Sequence, residues 1–375
     1  MANIYGKKIA SAESVTSGGG LYDSFSLWDQ KLTAAEILLG GINQMTLHVS
    51  VLQPNDQAPG LALQQYGMWN THHQTYAEQM RAWTDYIARS CYLLQQGRTV
   101  MDVAYFYGEE APTTTINEAH APTIADGYNY DFVKKESLVN EFLVDGGKLA
   151  TKAGMKYQIL YLGGTSSRMT LPVLVKLRAL LAAGAVVVGL PPVDTPSLSD
   201  DVNKWKAAVR EIWPDKSLVR AIGKGKIDQT LNLSYALAAE AIQPDFAYVK
   251  PIADANVRFY HRVDGNTDIY FVANRTDKTM AINADFRVTG RAAEIWLADR
   301  GTMQPASYRI HDGVTTVPLT LEQRDAVFVV FREVKPKEAD SKPSTAGTRT
   351  GSEAKVRAAS WLATAKPKSH PRRIG

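Results

Sequence analysis

The stretch VMDVAYFY at residues 100–107 decides the fold class, because it opens an alternation of apolar runs and helical patterns that continues to residue 243. Three more apolar runs follow: YQILYL at 157–162, AVVVGL at 185–190 and LVRAI at 218–222. Helical periodicity covers residues 171–183, 200–213 and 227–239, and Pro172 and Gly184 mark the two ends of the first of these helices. The alternation predicts an open, mostly parallel, flavodoxin-like sheet with helices on both faces.

Ligands of such a sheet bind beyond the carboxyl ends of its strands. The sequence GGTSS at 163–167 falls there, but it has neither the ending of a P-loop nor the G-x-G-x-x-G pattern, so it is weak evidence for a nucleotide site. Glu109 and Glu110 follow the first strand. They could reach over the mouth of a neighbouring site or belong to a solvated loop, and we favour the loop for the pair.

Upstream, residues 8–12 form an extended apolar piece that ends at Glu13 and is followed by a glycine-rich loop at 18–20. A second extended piece, QMTLHVSV at 44–51, is stopped by Pro54. Residues 74–96 carry a helical pattern that ends at Gly97. A strand that delivers a carboxylate into a loop is one place where active sites are built, so Glu13 is a candidate catalytic residue.

Downstream, short strands follow one another from residue 256 to residue 333. The turn at 264–266 joins strands at 257–262 and 269–273, and further strands are predicted at 282–288, 293–297, 315–319 and 327–331. This pattern predicts a small β-sandwich.

Composition restricts the function classes. The chain has 375 residues, a net charge of +4 and a single cysteine, Cys91, which excludes an intramolecular disulfide and a cysteine-rich metal site. Residues 334–375 hold ten Lys or Arg against three Asp or Glu, so the rest of the chain is slightly acidic. This tail is predicted to be disordered, and with Trp361 as its one aromatic residue it does not indicate nucleic-acid binding. Neither a membrane span nor a secretory signal is predicted, so the chain as written is expected in the cytoplasm, without a membrane partner.

An ordered set of motifs resembles glycoside hydrolase family 106, the bacterial α-L-rhamnosidases. The resemblance covers nearly everything before residue 334. It includes AESVTS at 12–17, GINQ at 41–44, QP at 53–54, YG at 66–67, QTY at 74–76, DVAYFYGEEAP at 102–112, GYNYDF at 127–132 and DIYFVAN at 268–274.

The resemblance implies hydrolysis of terminal α-L-rhamnosyl groups from a glycan or glycoside, with inversion, in a calcium-dependent family built around a (β/α)8 barrel. Residues 1–97 would supply the late part of the barrel. Residues 98–250 would form the flavodoxin-like α/β domain and residues 251–333 the β-sandwich, before the basic tail at 334–375. The family's chains are longer, which suggests a fragment, and full-length relatives are typically periplasmic or secreted.

Inversion needs two carboxyl groups roughly 6.5–9.5 Å apart. The resemblance assigns the general-base role to Glu13 and places the partner acid and the calcium ligands upstream of Met1. Without the resemblance, the interpretation of Glu13 as a loop cap or a surface group is favoured over catalysis. The sugar-binding candidates are His48, Gln53, Tyr66, Trp69, His73, Gln74 and Glu110.

Other interpretations of these residues stay open. His48 could be a core histidine, and Trp83 follows the apolar stripe of the helix rather than a sugar site. Adjacent His72 and His73 do not suit a two-histidine metal site. Leu52 stands where the family usually has a second histidine. The alternative function is a catalytically inactive, truncated remnant that at most binds carbohydrate.

Overall fold

The computed structural model describes residues 1–16, 26–58, 60, 61, 63, 70–109, 124, 126–215 and 217–333. The predicted site residues Tyr66, Trp69 and Glu110, the glycines at 18–20 and the predicted disordered tail at 334–375 lie outside the described residues.

The N-terminal part is a strand–helix–strand unit followed by a long helix. A 3-10 turn at Asn3–Tyr5 precedes β1 (Ser11–Ser14), α1 (Leu27–Leu39) and β2 (Gln44–Leu47), and a second 3-10 turn at Ala77–Gln79 leads into α2 (Met80–Leu94). The two strands are parallel, with Glu13 opposite Thr46. A parallel pair needs a crossover of this kind. The helix predicted from residue 74 begins at Met80 instead, because residues 74–79 form turns.

Helix α1 begins at a reciprocal cap. The Ser26 hydroxyl accepts from the Asp29 backbone N–H, and the Asp29 carboxylate accepts from the Ser26 backbone N–H at 2.9 Å. The Ser26 hydroxyl also donates to the Asp29 carboxylate at 2.7 Å, and this bond, with the one from the Ser26 N–H, holds the pKa of Asp29 below its ordinary value. The cap fixes where the chain enters the helix between β1 and β2.

The central part is a six-stranded mixed sheet with helices. Its elements, together with the short strand that precedes them and a three-stranded meander, are β3 (Arg98–Thr99), β4 (Val103–Phe106), β5 (Tyr130–Val133), α3 (Lys135–Glu141), β6 (Phe142–Asp145), β7 (Lys148–Thr151), β8 (Lys156–Tyr157), β9 (Ile159–Leu162), α4 (Leu171–Ala183), β10 (Val186–Val188), α5 (Val202–Ile212), β11 (Val219–Ile222), β12 (Gly225–Asp228) and α6 (Leu233–Ala239). The sheet order is β11-β12-β10-β9-β4-β5. Counted along the chain, its five parallel strands lie in the order 2-1-3-4-5, which is the order of flavodoxin-like sheets.

The apolar stretch at residues 218–222 contains the strand β11, which runs antiparallel to β12 at the edge of the mostly parallel sheet. One prediction in this part was wrong. Residues 227–239 were predicted as one helix, but Ile227 lies in the inner strand β12 and the helix begins at Leu233, capped by Asn232. A turn at Gly223, with a φ of 60°, reverses the chain between the two strands. The apolar run at 225–228 is too short to show whether its hydrophobic residues repeat with the period of a strand or of a helix, so the pattern alone could not distinguish the two.

The C-terminal part is a sandwich of two sheets. Its strands are β13 (Phe246–Tyr248), β14 (Val257–Asp264), β15 (Thr267–Asn274), β16 (Met280–Phe286), β17 (Ala292–Leu297), β18 (Thr302–Pro305), β19 (Arg309–His311), β20 (Val314–Leu321) and β21 (Ala326–Arg332). One sheet has the order β13-β16-β20-β19 and the other β18-β17-β21-β15-β14-β3. Phe246, Tyr270, Phe286 and Phe331 pack between them. The predicted tight turn at 264–266 is confirmed by the β14–β15 register.

The three parts share one hydrophobic core. Ala34 and Trp83 from the N-terminal part, Phe106 and Leu174 from the central part and Phe271 from the sandwich belong to the same buried cluster. Strand β3 adds to this continuity, because it precedes the central sheet in the chain but pairs with β14 of the sandwich. None of the described helices is both long enough and apolar enough to cross a membrane.

Candidate active site

Glu13 stands near the carboxyl end of β1 with an exposed side chain. The Thr16 hydroxyl donates to Glu13 Oε1 at 3.1 Å, which restrains one carboxylate oxygen. The neighbouring strand ends at the same level, because Ser14 pairs with Leu47 and the His48 backbone N–H donates to the Ser14 carbonyl at 3.3 Å. The two parallel strands therefore bring Glu13 and the segment from His48 onward to the same edge.

Val15, two residues after Glu13, has a φ of 55° and a buried side chain. A β-branched residue is strongly disfavoured in the left-handed region, where the backbone conformation costs roughly 1–3 kcal/mol. Such strain persists where the surrounding structure imposes it, and it concentrates at functional sites. The strained residue marks the turn after Glu13 as a candidate functional feature, and no sequence pattern could have revealed it.

Three buried polar atoms follow β2 and lack a hydrogen-bond partner among the described residues. They are Nδ1 of His48, Oδ1 of Asn70 and Nε2 of His73. The backbone N–H of Asn70 donates to the Val49 carbonyl at 2.8 Å, which places the second segment beside the first. An unsatisfied buried polar group costs about 1–3 kcal/mol, so these atoms are suited to pair with a ligand rich in hydroxyl groups. Asn70 was not singled out in the sequence.

Gln53 and Gln74 make hydrogen bonds with backbone groups of this region. The Gln53 side chain donates to the carbonyls of Val51 and Leu61 and accepts from the Leu61 N–H at 2.7 Å. Both ends of its amide therefore hold the loop, which gives Gln53 a positioning role. Gln74 accepts from the Ala77 N–H through its backbone carbonyl, in the turn before α2. Leu52, where the family usually has histidine, is 83% exposed and offers no hydrogen-bonding group.

Glu109 is buried, so the prediction that it belongs to a solvated loop is wrong for this residue. Its carboxylate accepts from the Thr170 backbone N–H at 2.7 Å and from the Thr170 hydroxyl at 2.8 Å, and Lys135 lies 3.0 Å away. Only 3% of its side chain is exposed. Asp200 accepts from the next N–H, that of Leu171, at 2.7 Å. Two carboxylates thus occupy the N-terminus of α4, where a phosphate could otherwise bind, so a nucleotide site there is excluded.

The part of the chain that the structure describes contains no group of three or more His, Cys, Asp or Glu side chains able to hold a metal ion. His72 lies 3.3 Å from Asp56 on the surface, and its ring is tilted by 43° against that of His73, 4.0 Å away. These contacts are pairwise and do not form a metal site. The residues described do not fit the calcium that the resemblance implies.

A buried ionic network links the sandwich to the central sheet, and sequence reasoning missed it. His261 lies between two carboxylates, with Nδ1 2.8 Å from Asp245 and Nε2 3.0 Å from Asp268. Arg287 donates to Asp102 at 2.7 Å. Burial raises the pKa of Asp102 to about 6. Burial is the largest single influence on Asp245 and disfavours its charged form, but the charges of His261 and Arg287 and the hydrogen bonds from His261 and Tyr270 together lower the pKa of that carboxyl. Charged residues inside otherwise apolar strands were the signal for this network.

Comparisons with known proteins place the chain in a family. Residues 1–310 match the sequence model of a family described as alpha-L-rhamnosidase. The chain is 35% identical over 343 residues to a putative beta-glucuronidase from Formosa agariphila, and the match covers 88% of this chain and 28% of that protein.

Two solved structures resemble the chain to different degrees. A rhamnosidase from Novosphingobium sp. PP1Y superposes with a TM-score of 0.84 at 39% identity, covering 93% of this chain and 33% of that one. A beta-galactosidase from Bacillus circulans sp. alkalophilus has a TM-score of 0.52 at 10% identity, over 86% of this chain and 55% of that one, which is a likeness of fold alone. The chain spans about a third of the length of the rhamnosidase. By the family match over most of its length, the chain belongs to the alpha-L-rhamnosidase family, glycoside hydrolase family 106.

Proposed function

We propose that this chain is part of an inverting α-L-rhamnosidase in which Glu13 is the general base. The observation that carries the proposal is the placement of Glu13: an exposed carboxylate at the carboxyl end of a parallel strand, followed by the strained residue Val15. Active sites of α/β barrels lie at that end of the strands. The domain assignment belongs to the same proposal, with a partial barrel at 1–97, a flavodoxin-like domain at 98–250 and a β-sandwich at 251–333.

The chemistry follows from inversion. The carboxylate of Glu13 takes a proton from a water molecule, the water oxygen attacks the anomeric carbon from the face opposite the leaving group, and the glycosidic bond breaks. The leaving oxygen accepts a proton from a second carboxyl group, which we place outside this chain. Calcium is proposed on the resemblance alone, with ligands outside the chain, and the role of Glu13 does not depend on it.

Substrate binding is proposed for the unsatisfied polar atoms in the segments that follow β2. His48, Asn70 and His73 each present a buried polar atom that is unsatisfied among the described residues. A rhamnosyl group carries three hydroxyl groups, each of which can donate and accept, so it can satisfy such atoms. Tyr66, Trp69 and Glu110 remain predicted contacts. Gln53 holds its own loop through Val51 and Leu61, and Gln74 lies in the turn before α2. The proposed substrate is a glycan or glycoside with terminal α-L-rhamnose.

The test is the anomeric form of the first product. p-Nitrophenyl α-L-rhamnoside suits the purpose because p-nitrophenolate leaves without a proton, so hydrolysis requires the base but not the missing acid. Proton NMR recorded at early times should show β-L-rhamnose before mutarotation. Early α-L-rhamnose, or no hydrolysis by the folded chain, would contradict the proposal for this chain.

A further inference from the structure

The outer face of one sandwich sheet carries a hollow of about 720 Å³. We call it the sandwich hollow, and the residues that define it are Tyr248, Asn283, Asp285, Tyr308, Arg309 and His311. Strand register explains how they meet, because Asp285 on β16 pairs with Thr316 on β20, and Thr316 pairs with Arg309 on β19. Its volume lies within the range of roughly 300–1,000 Å³ typical of small-ligand sites.

The floor of the hollow is held by a chain of hydrogen bonds. The Thr316 hydroxyl donates to Asp285 Oδ1, and His311 Nε2 lies 2.7 Å from the same hydroxyl oxygen. Because the hydroxyl hydrogen is used on Asp285, His311 must donate from Nε2. Asp285 and His311 are thereby fixed in position before any ligand arrives, as a binding site requires.

Two polar side chains on this face remain available. Neither the amide of Asn283 nor the guanidinium of Arg309 has a hydrogen bond or ion pair within the described part of the chain. Both side chains are exposed. Together with Asp285 they place hydrogen-bond donors and acceptors on neighbouring strands of the sheet. A hydroxyl group can both donate and accept a hydrogen bond, so it can pair with either kind of group.

Apolar surface adjoins these polar groups. Tyr308 is 41% exposed and Val249 is 87% exposed, both at the hollow. Tyr248 forms a wall whose hydroxyl is held by the Val257 N–H at 2.9 Å. An exposed aromatic ring and an exposed valine beside ready hydrogen-bonding groups suit a ligand with both apolar and hydroxyl-bearing faces.

We propose that the sandwich hollow binds a pyranose oligosaccharide. The C–H face of one sugar ring packs on Tyr308, and its hydroxyl groups pair with Asn283, Arg309 and Asp285. This role is separate from hydrolysis at Glu13 and holds a polysaccharide to the protein rather than cleaving it. Pyranose rings combine the two kinds of face that the hollow offers.

The test is affinity electrophoresis of the full chain carrying Glu13→Gln, so that retardation does not depend on hydrolysis. The gels contain either a polymer of alternating L-rhamnose and D-galacturonate or hydroxyethylcellulose, an uncharged β-glucan. Retardation by either polymer is expected, and Tyr308→Ala and Asn283→Ala should each weaken it by about tenfold, equivalent to roughly 1.4 kcal/mol. Retardation by the first polymer alone would assign the hollow to rhamnose-containing chains.

Tyr235→Ala is the matched control, because Tyr235 is 56% exposed on α6 of the central part. It should leave retardation unchanged. No retardation by either polymer would overturn the proposal. Equal retardation of the Tyr308→Ala, Asn283→Ala and Tyr235→Ala proteins would overturn it as well, because it would place binding elsewhere. Neither result would affect the proposal for Glu13.

Discussion

Arg287 at the end of β16 donates from Nη2 to Oδ1 of Asp102, just before β4, at 2.7 Å. The contact joins the sandwich to the central sheet, and Asp102 is 1% exposed. Its second oxygen has no partner among the described residues. The junction between these two parts therefore rests on a buried ion pair as well as on apolar packing.

Replacing Arg287 should destabilise the protein strongly. Removing one partner of a buried pair leaves an uncompensated charge, so Arg287→Met should lower the free energy of unfolding by about 3 kcal/mol. Arg300→Met is the control, because the Arg300 side chain is 72% exposed. Urea denaturation of both variants measures the effect, and equal midpoints would argue against a structural role for the pair.

The ionisation of Asp102 should make the stability of the protein depend on pH. Its pKa in the folded protein, about 6, lies above the ordinary value of 3.8, so the folded state binds the proton more tightly. Stability from this group is therefore present at low pH and is lost as pH rises from about 4 to 6. Asp102→Asn removes that loss. The difference in free energy of unfolding between the variant and the unsubstituted protein should therefore change by about 2 kcal/mol in favour of the variant as the pH rises from 4 to 7.5. A difference that does not depend on pH would contradict the assignment.

The cap on α4 can be tested separately. Glu109→Ala removes the acceptor for the Thr170 N–H and hydroxyl, and it should cost about 1–2 kcal/mol, as the loss of a helix cap does. Glu109→Gln retains an acceptor and should cost less. Glu78→Ala, at an exposed glutamate before α2, is the control. Thermal melts that rank all three variants equally would mean that the cap contributes nothing.

Cys91 should react slowly with thiol reagents. It is the single cysteine, its side chain is buried on α2, and burial raises the pKa of its thiol. The thiolate is the reactive form, so both access and ionisation disfavour reaction. The reaction with 5,5′-dithiobis(2-nitrobenzoate) should be slow in buffer and rapid in denaturant. A fast reaction in buffer would show that α2 opens readily.

Much of the fold could be predicted from local sequence. Two short apolar strands and the turn at residues 264–266 predicted the hairpin of β14 and β15, and strand–helix alternation predicted the parallel strands of the central sheet. The prediction failed at residues 227–239, where a short apolar run fits either a strand or a helix. Which strand lies at a sheet edge depends on tertiary pairing, and a local pattern does not contain it.

The candidate site was predictable only in part. Glu13 could be found because a strand precedes it and because its motif resembles a family. Other features of the site depend on contacts between segments that are distant in sequence. These features are the backbone strain at Val15, the unsatisfied atom of Asn70 and the burial of Glu109. The network around His261 is of the same kind, since its partners come from β15 and from the residue before β13.

The catalytic role of Glu13 can be measured as the rate at which the Glu13→Gln protein hydrolyses p-nitrophenyl α-L-rhamnoside. We expect a loss of about 10²–10⁴-fold in kcat, the usual contribution of a general base, with little change in KM. Glu78→Gln should hydrolyse the substrate at the unsubstituted rate. Equal activity of the Glu13→Gln and Glu78→Gln proteins would contradict the claim that Glu13 is the base.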